Sequence, residues 1–287
     1  MGSEMCIRDR CGSDRRIVDL VLPTMRHLKI TIAYDGANFV GWQVQPNGIS
    51  VQQRLEEAWT KITGEKLRIT ASGRTDAGVH ALAQVCSVAT ESELENWSLL
   101  RAINAETPYE MAVLKVEDAP EGFHAIRDAV EKTYCYHIQY GRIQDPLRLG
   151  RCWFVPGEMD LVSMQAAADL VTGEFDFASF QGAHSDRKTT VRTVLRFDVE
   201  PEEVHGFPGI KISLAANGFL YNMVRNLVGT VVRIGRGRES VQWMAWVLEQ
   251  KNRDVAGQTA PAHGLFLDHV VYKEAGLQNE APEESKE

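Results

Sequence analysis

Residues 71–80, Ala-Ser-Gly-Arg-Thr-Asp-Ala-Gly-Val-His, hold a lone carboxylate, Asp76, on a tight turn between two strand-like runs. Gly73 and Gly78 admit backbone angles closed to other residues, so the loop can fold back sharply and let a ligand approach the main chain. Arg74, two residues before the carboxylate, puts a fixed positive charge beside it. A Gly-Arg-Thr-Asp tetrapeptide is ordinarily an exposed hairpin loop. The chemical alternative is a displayed carboxylate that attacks an electrophile or removes a proton.

Two other places carry comparable chemistry. Tyr134, Tyr136 and Tyr140 alternate along a strand-like run, which reads either as a packed sheet face or as phenols lining a site. Arg225 follows Tyr221 by four residues on an otherwise apolar helix with Val224, Leu227, Val228 and Val231. A guanidinium in such surroundings needs an anionic partner if it is buried, and Asp76 is a candidate. A partly buried carboxyl can rise from about 3.9 by as much as ~3 to 5 units, whereas a nearby guanidinium can lower it by ~1 to 3. Arg225, or else Arg74, is therefore expected to keep Asp76 ionised. His80 and His263 lie in loops where histidines usually hydrogen-bond or pack, and neither is assigned a catalytic role.

The elements that must position these groups are legible as hydrophobic periods. Leu28, Ile30, Ile32 and Tyr34 alternate ahead of an Asp35-Gly36 turn, as in a half-buried strand. Ser50-Val51-Gln52-Gln53 reads as a capping box opening a helix with Val51, Leu55, Ala58 and Ile62 as its apolar stripe and Gly64 as its stop. Strands at 67–71 and 80–88, a helix at 92–104 and a strand at 111–117 complete a β-α-β-β-α-β order, which is ferredoxin-like. The second half repeats the pattern with strands at 132–140, 191–199, 209–216 and 265–272 and helices at 160–172 and 221–234, plus an inserted helix at 240–251. The fold class expected is α+β, with two halves, 25–121 and 122–273, and a cleft between two sheets. The join is placed at 119–125, where Pro120 and Gly122 interrupt both periods.

The 287 residues, 44% hydrophobic, have the composition of an ordinary globular protein. The apolar runs fall far short of the roughly 18 residues that suggest a membrane span, and residues 1–24 lack the continuous apolar core of a secretory signal. A cytoplasmic location follows as the expectation. Five cysteines form no Cys-x-x-Cys pair, so neither a zinc site nor a disulfide framework is indicated. Of the formal net charge of −8, the tail 274–287 supplies −4, with five Glu and one Lys. Between Val204 and Arg238 there is no acidic residue, while Lys211, Arg225, Arg233, Arg236 and Arg238 give a local +5. Such a surface attracts phosphates even on an acidic protein.

Gly73-Arg74-Thr75-Asp76-Ala77-Gly78-Val79-His80-Ala81, followed by Gln84, closely resembles the catalytic loop of the tRNA pseudouridine synthase A (TruA) family. The resemblance runs from about Met25 to about Tyr272. It includes Ile32-Ala33-Tyr34-Asp35-Gly36 with Phe39 and Gly41-Trp42-Gln43, Lys132-Thr133-Tyr134-Cys135-Tyr136, Thr190-Val191-Arg192, Asn217-Gly218-Phe219-Leu220-Tyr221-Asn222-Met223-Val224-Arg225, and Ala260-Pro261-Ala262-His263-Gly264-Leu265. Met25 is expected to be the start, with 1–24 a disordered or non-native extension and 274–287 an acidic disordered tail.

The resemblance implies the pseudouridine synthase fold, a homodimer, and isomerisation of uridines 38, 39 and 40 in the tRNA anticodon stem-loop. It implies Asp76 as nucleophile or base, acting on the sugar or the uracil, with Tyr134 against the target base, Arg225 as the active-site arginine and Leu265 as a pocket wall. Arg74, Arg187, Lys188, Arg233, Arg236 and Arg238 are the candidate substrate contacts. The reaction detaches uracil and rejoins it through carbon 5 without net redox change, so no cofactor and no metal is expected. The rival readings are a non-catalytic RNA-binding protein, for which RNP motifs are missing, and a small-molecule enzyme on the same scaffold.

Overall fold

The computed structural model describes residues 25–182 and 189–273. The expectations for 1–24, for the acidic tail and for Arg187 and Lys188 lie outside the described residues. Among those described, the first half runs β1 (Arg26–Tyr34), α1 (Val51–Thr63), β2 (Thr70–Ala71), β3 (His80–Thr90), α2 (Asn96–Glu106) and β4 (Met111–Ala119). The second runs β5 (Ala129–Gly141), β6 (Trp153–Pro156), α3 (Leu161–Asp169), β7 (Gly173–Asp176), β8 (Val191–Val204), β9 (Phe207–Ala216), α4 (Met223–Gly235), α5 (Trp243–Gln250) and β10 (Leu265–Tyr272). No helix among the described residues is long and apolar enough to cross a membrane.

Alternation makes the strands. On β1, Leu28, Ile30 and Ile32 are wholly buried while their neighbours are only partly covered, and burying each aliphatic side chain contributes about 1.5–3 kcal/mol. That face meets Leu55 and Trp59 of α1 and Leu99 and Ile103 of α2 in a core continuous with Ile212, Leu214, Leu227 and Val231 of the second half. Helix α1 starts where the sequence puts it: the Ser50 hydroxyl accepts from the Gln53 amide, and Gly64 ends the helix in the left-handed region at φ 78°. The reciprocal half of the capping box is missing, because the Gln53 side chain donates to Glu57 instead.

The ferredoxin-like order holds in both halves. β4-β1-β3 with β2 on β3, and β10-β5-β9-β8, are the same arrangement used twice. The expected cleft between two sheets is replaced by one continuous sheet, because β10 pairs in parallel with β3 through Phe266–His80 and Leu267–Ala81. The junction at 119–125 lies between β4 and β5. Strand 67–71 shrinks to two residues, and the short strands β6 and β7 had no periodic signal to announce them. The seam between the repeats sets the first half's Asp76 loop beside the second half's β5, α4 and β10.

Candidate active site

The loop after β2 is pinned on both sides before Asp76 is reached. Gln84 on β3 accepts from the Ser72 hydroxyl (2.6 Å) and donates to the Gly73 carbonyl (2.8 Å). Lys132 of β5 donates to the Ser72 carbonyl at 2.6 Å. Thr75 meets the Tyr34 hydroxyl at 2.8 Å, and its carbonyl accepts from the Trp42 amide at 3.0 Å. The last contact requires Gly41: a Cβ there would lie 2.6 Å from the Thr75 carbonyl oxygen. Gly78, at φ 77°, turns the chain so that the Val79 amide donates to the Asp76 carbonyl at 3.1 Å. The motifs around Tyr34 and Gly41 thus form the bed on which the carboxylate loop rests.

Arg225, in the first turn of α4, donates through Nη1 to Asp76 Oδ2 at 3.0 Å. It is itself clamped. Its Nε donates to the Ala260 carbonyl at 2.7 Å, its own carbonyl accepts from the Ala260 amide at 3.1 Å, and Nη1 also donates to Asn222 Oδ1 at 3.0 Å. The chain at Ala260 lies this close to α4 because the nearby Gly229 has no side chain; a Cβ there would fall on the Gln258 carbonyl oxygen. Tyr136 holds the next residue, donating to the Pro261 carbonyl at 2.8 Å.

The pair is half-buried, with side-chain exposures of 24% for Asp76 and 17% for Arg225. Burial pushes the Asp76 carboxyl above the ordinary carboxylate range, and the Arg225 hydrogen bond and charge pull it only part of the way back. Arg225 is thus the lowering influence expected of it, with desolvation the larger of the two. Tyr134 on β5 is 8% exposed, packs edge-to-face on Phe219 at 5.1 Å and has its phenol pushed up by burial, with Tyr34 and Asp76 adding to the shift. No protein hydrogen bond to its hydroxyl is seen among the described residues. A carboxylate, a guanidinium clamped by Ala260 and Asn222, and the Tyr134 ring lie together where the two repeats meet, a set suited to holding a planar base while a bond to its sugar is remade.

The sequence profile of the tRNA pseudouridine synthase family matches residues 30–127 and 167–273. The chain belongs to the tRNA pseudouridine synthase family. Relatives named tRNA pseudouridine synthase A include one from Pelobacter propionicus, 43% identical over 248 residues, covering 86% of this chain and 100% of the relative. Another, from a Roseiflexus species, is 43% identical over 252 residues, covering 88% and 93%. A Clostridium perfringens relative named tRNA pseudouridine synthase A 2 is 39% identical, covering 86% and 100%. Membership makes this protein an isomerase.

Within this pseudouridine synthase, Asp76, Arg225 and Tyr134 come together, while Leu265 is buried and paired with Tyr136 at the start of β10. Arg74 does not join the carboxylate: it is exposed and makes no ion pair among the described residues. His80 is buried, stacked on Phe266 at 4.5 Å, with Nδ1 3.0 Å from the Gly36 amide and Nε2 3.1 Å from the Gly150 carbonyl. Burial lowers its pKa, so it serves as a neutral tie to the Asp35–Gly36 turn. Arg233, Arg236 and Arg238 are exposed at the far end of α4, around a shallow depression that includes Trp153 and Gln258. Arg233 is already engaged, paired with Glu239 at 2.7 Å and lying over Trp243. The groups that sequence reading missed are Asn222 and the Ala260 carbonyl. The signals for Asn222 were its place in the Asn217–Arg225 motif, three positions before Arg225, and its residue type, tolerant of left-handed backbone.

Proposed function

We propose that this protein isomerises uridine to pseudouridine in the anticodon stem-loop of tRNA, at positions 38, 39 and 40, with Asp76 as its nucleophile or base. The observation that carries the reading is the Asp76–Arg225 pair beside Tyr134. It offers one partly desolvated, hence more basic, carboxylate held in register by a guanidinium that cannot swing away. Turning over a uracil requires breaking the bond from nitrogen 1 to sugar carbon 1′ and forming one from carbon 5 to carbon 1′, after which carbon 5 loses a proton and nitrogen 1 carries one. Asp76 would act in the first event, and the Tyr134 hydroxyl, without a protein hydrogen-bond partner among the described residues, can assist the last. Leu265 would form an apolar wall against the base.

The target must leave its stack, which costs a few kcal/mol and least in loops and at stem ends. Three neighbouring targets call for recognition of tRNA shape through its backbone. Arg236 and Arg238 are unpaired among the described residues and suit phosphate contact; Arg74 suits it at the site itself. The resemblance extends the proposal to a cytoplasmic homodimer.

The test is to incubate the protein with an unmodified tRNA transcript bearing uridines at 38, 39 and 40, then map carbodiimide adducts by primer extension. Stops at those positions alone are expected. A tRNA without any stop, or with stops only elsewhere, would overturn the assignment.

A further inference from the structure

Asn222 is the residue immediately before α4, and its backbone is in the left-handed region at φ 60°. A non-glycine residue is uncommon there and persists only where the surroundings fix it. They do so here. The Tyr221 carbonyl accepts from the Gly182 amide at 2.7 Å, and Gly182 lies so close that a Cβ on it would be 2.9 Å from Asn222 Nδ2. Asn222 also forgoes the usual reward of its position, because its side chain caps no amide of α4. Its Oδ1 is turned instead to Arg225 Nη1, at 3.0 Å, the same nitrogen that donates to Asp76 at 3.0 Å.

Resting on the reading of Asp76 and Arg225 given above, we infer that Asn222 is a positioning residue for the isomerisation: its amide oxygen fixes the plane of the Arg225 guanidinium so that Nη1 stays on the Asp76 carboxylate. One guanidinium nitrogen has two hydrogens. Asp76 takes one and Asn222 the other, while Nε is held by Ala260. The rotation that remains to an arginine held only by Nε is thereby stopped, and Nη2 is left without a protein partner among the described residues. A neutral acceptor is the appropriate choice, since a second carboxylate would compete with Asp76 for the cation. The charged and titratable groups around the pair are Arg225 of α4, Tyr134 and Tyr136 of β5 and Tyr34 of β1. None of these tyrosines is hydrogen-bonded to Nη1 among the described residues, where Asn222 is the neutral acceptor.

The decisive variant is Asn222→Gly, because glycine accepts φ 60° without strain and removes only the amide. It is expected to fold with a Tm no lower than the parent, yet to lose about tenfold in kcat/KM for tRNA, the worth of a hydrogen bond to a charged group. The acid limb of its pH profile should move upward as Arg225 loosens its hold on Asp76. Asn222→Asp should shift that limb further, through like-charge repulsion. Full activity and an unshifted limb in Asn222→Gly would overturn the proposal and leave Asn222 a backbone residue. A carboxyl-carbon NMR titration of Asp76 in the two proteins reads the same coupling without turnover. It separates failure here, an unchanged Asp76 titration, from failure of the catalytic reading, in which Asp76→Asn would remain active.

Discussion

Asp76 must be ionised to act as nucleophile or base, and two influences of opposite sign meet at its carboxyl. Burial raises its pKa and Arg225 lowers it, with burial ahead. The active form is the carboxylate, so activity is present above that pKa and fades as pH falls through it. Replacing Arg225 by Met removes the lowering influence, moves the pKa up, and should carry the acid limb of kcat/KM to higher pH while reducing its plateau by about 10- to 100-fold, the range for a charge-assisted hydrogen bond. Rate profiles from pH 4 to 8 check this. An unshifted limb would mean that another group sets it. Tyr134→Phe keeps the ring and deletes a hydroxyl that no described residue bonds. Its thermal stability should stay within about 0.5 kcal/mol of the parent. Its kcat should fall by ~10²-fold or more if the hydroxyl moves the carbon 5 proton, and hardly at all if the ring only stacks. Calorimetry and single-turnover assays separate the two roles.

At the scale of elements, what the sequence conveyed and what it hid have physical reasons. The alternation of Leu28, Ile30 and Ile32 declares β1, and Ser50 with Gly64 declares both ends of α1, because periodicity and capping are local. The pairing of β3 with β10 is a contact between strands some 185 positions apart, and alternation says which face is buried but not which neighbour lies alongside. The Asp76–Arg225 partnership could be named from residue types, but the sign of the carboxyl shift could not, since it depends on how much water the folded site admits. Nor could Asn222 be read, because a left-handed residue at a helix start leaves no periodic mark. The β8–β9 hairpin adds a testable anchor. Glu202 lies between His137 (3.1 Å) and Arg148 (2.8 Å), and chiefly through the His137 hydrogen bond its carboxyl is lowered from 4.5 to about 2. A depressed carboxyl stabilises the fold above its unfolded pKa and loses that contribution as pH falls toward the folded one. Glu202→Gln should therefore be less stable than the parent at pH 7, with the difference closing between about pH 4.5 and 2 in urea titrations. A difference independent of pH would contradict the ionic anchor.

The whole molecule carries a net charge of −8, yet the stretch from Val204 to Arg238 is free of acidic residues and ends in exposed arginines. Attraction to a polyanion then depends on where the charges lie, not on their sum. Arg236→Ala and Arg238→Ala should each weaken tRNA binding and lower the steepness of its salt dependence by about one phosphate contact. Arg233→Ala should do so less, its charge being already shared with Glu239 and the Trp243 ring. Affinities at several salt concentrations distinguish these outcomes, and equal slopes for all three variants and the parent would remove this end of α4 from the tRNA path. The two repeats meet at the β3–β10 seam, so a carboxylate from one and an arginine from the other are joined only when the whole chain is folded. The most direct test of that arrangement as a catalytic one is tritium release from tRNA labelled at uridine carbon 5, by the protein and by Asp76→Asn. Release by the first and none by the second, with tRNA binding intact in both, is the predicted result. Release by both would take Asp76 out of the chemistry, and release by neither would leave a protein that binds tRNA without altering it.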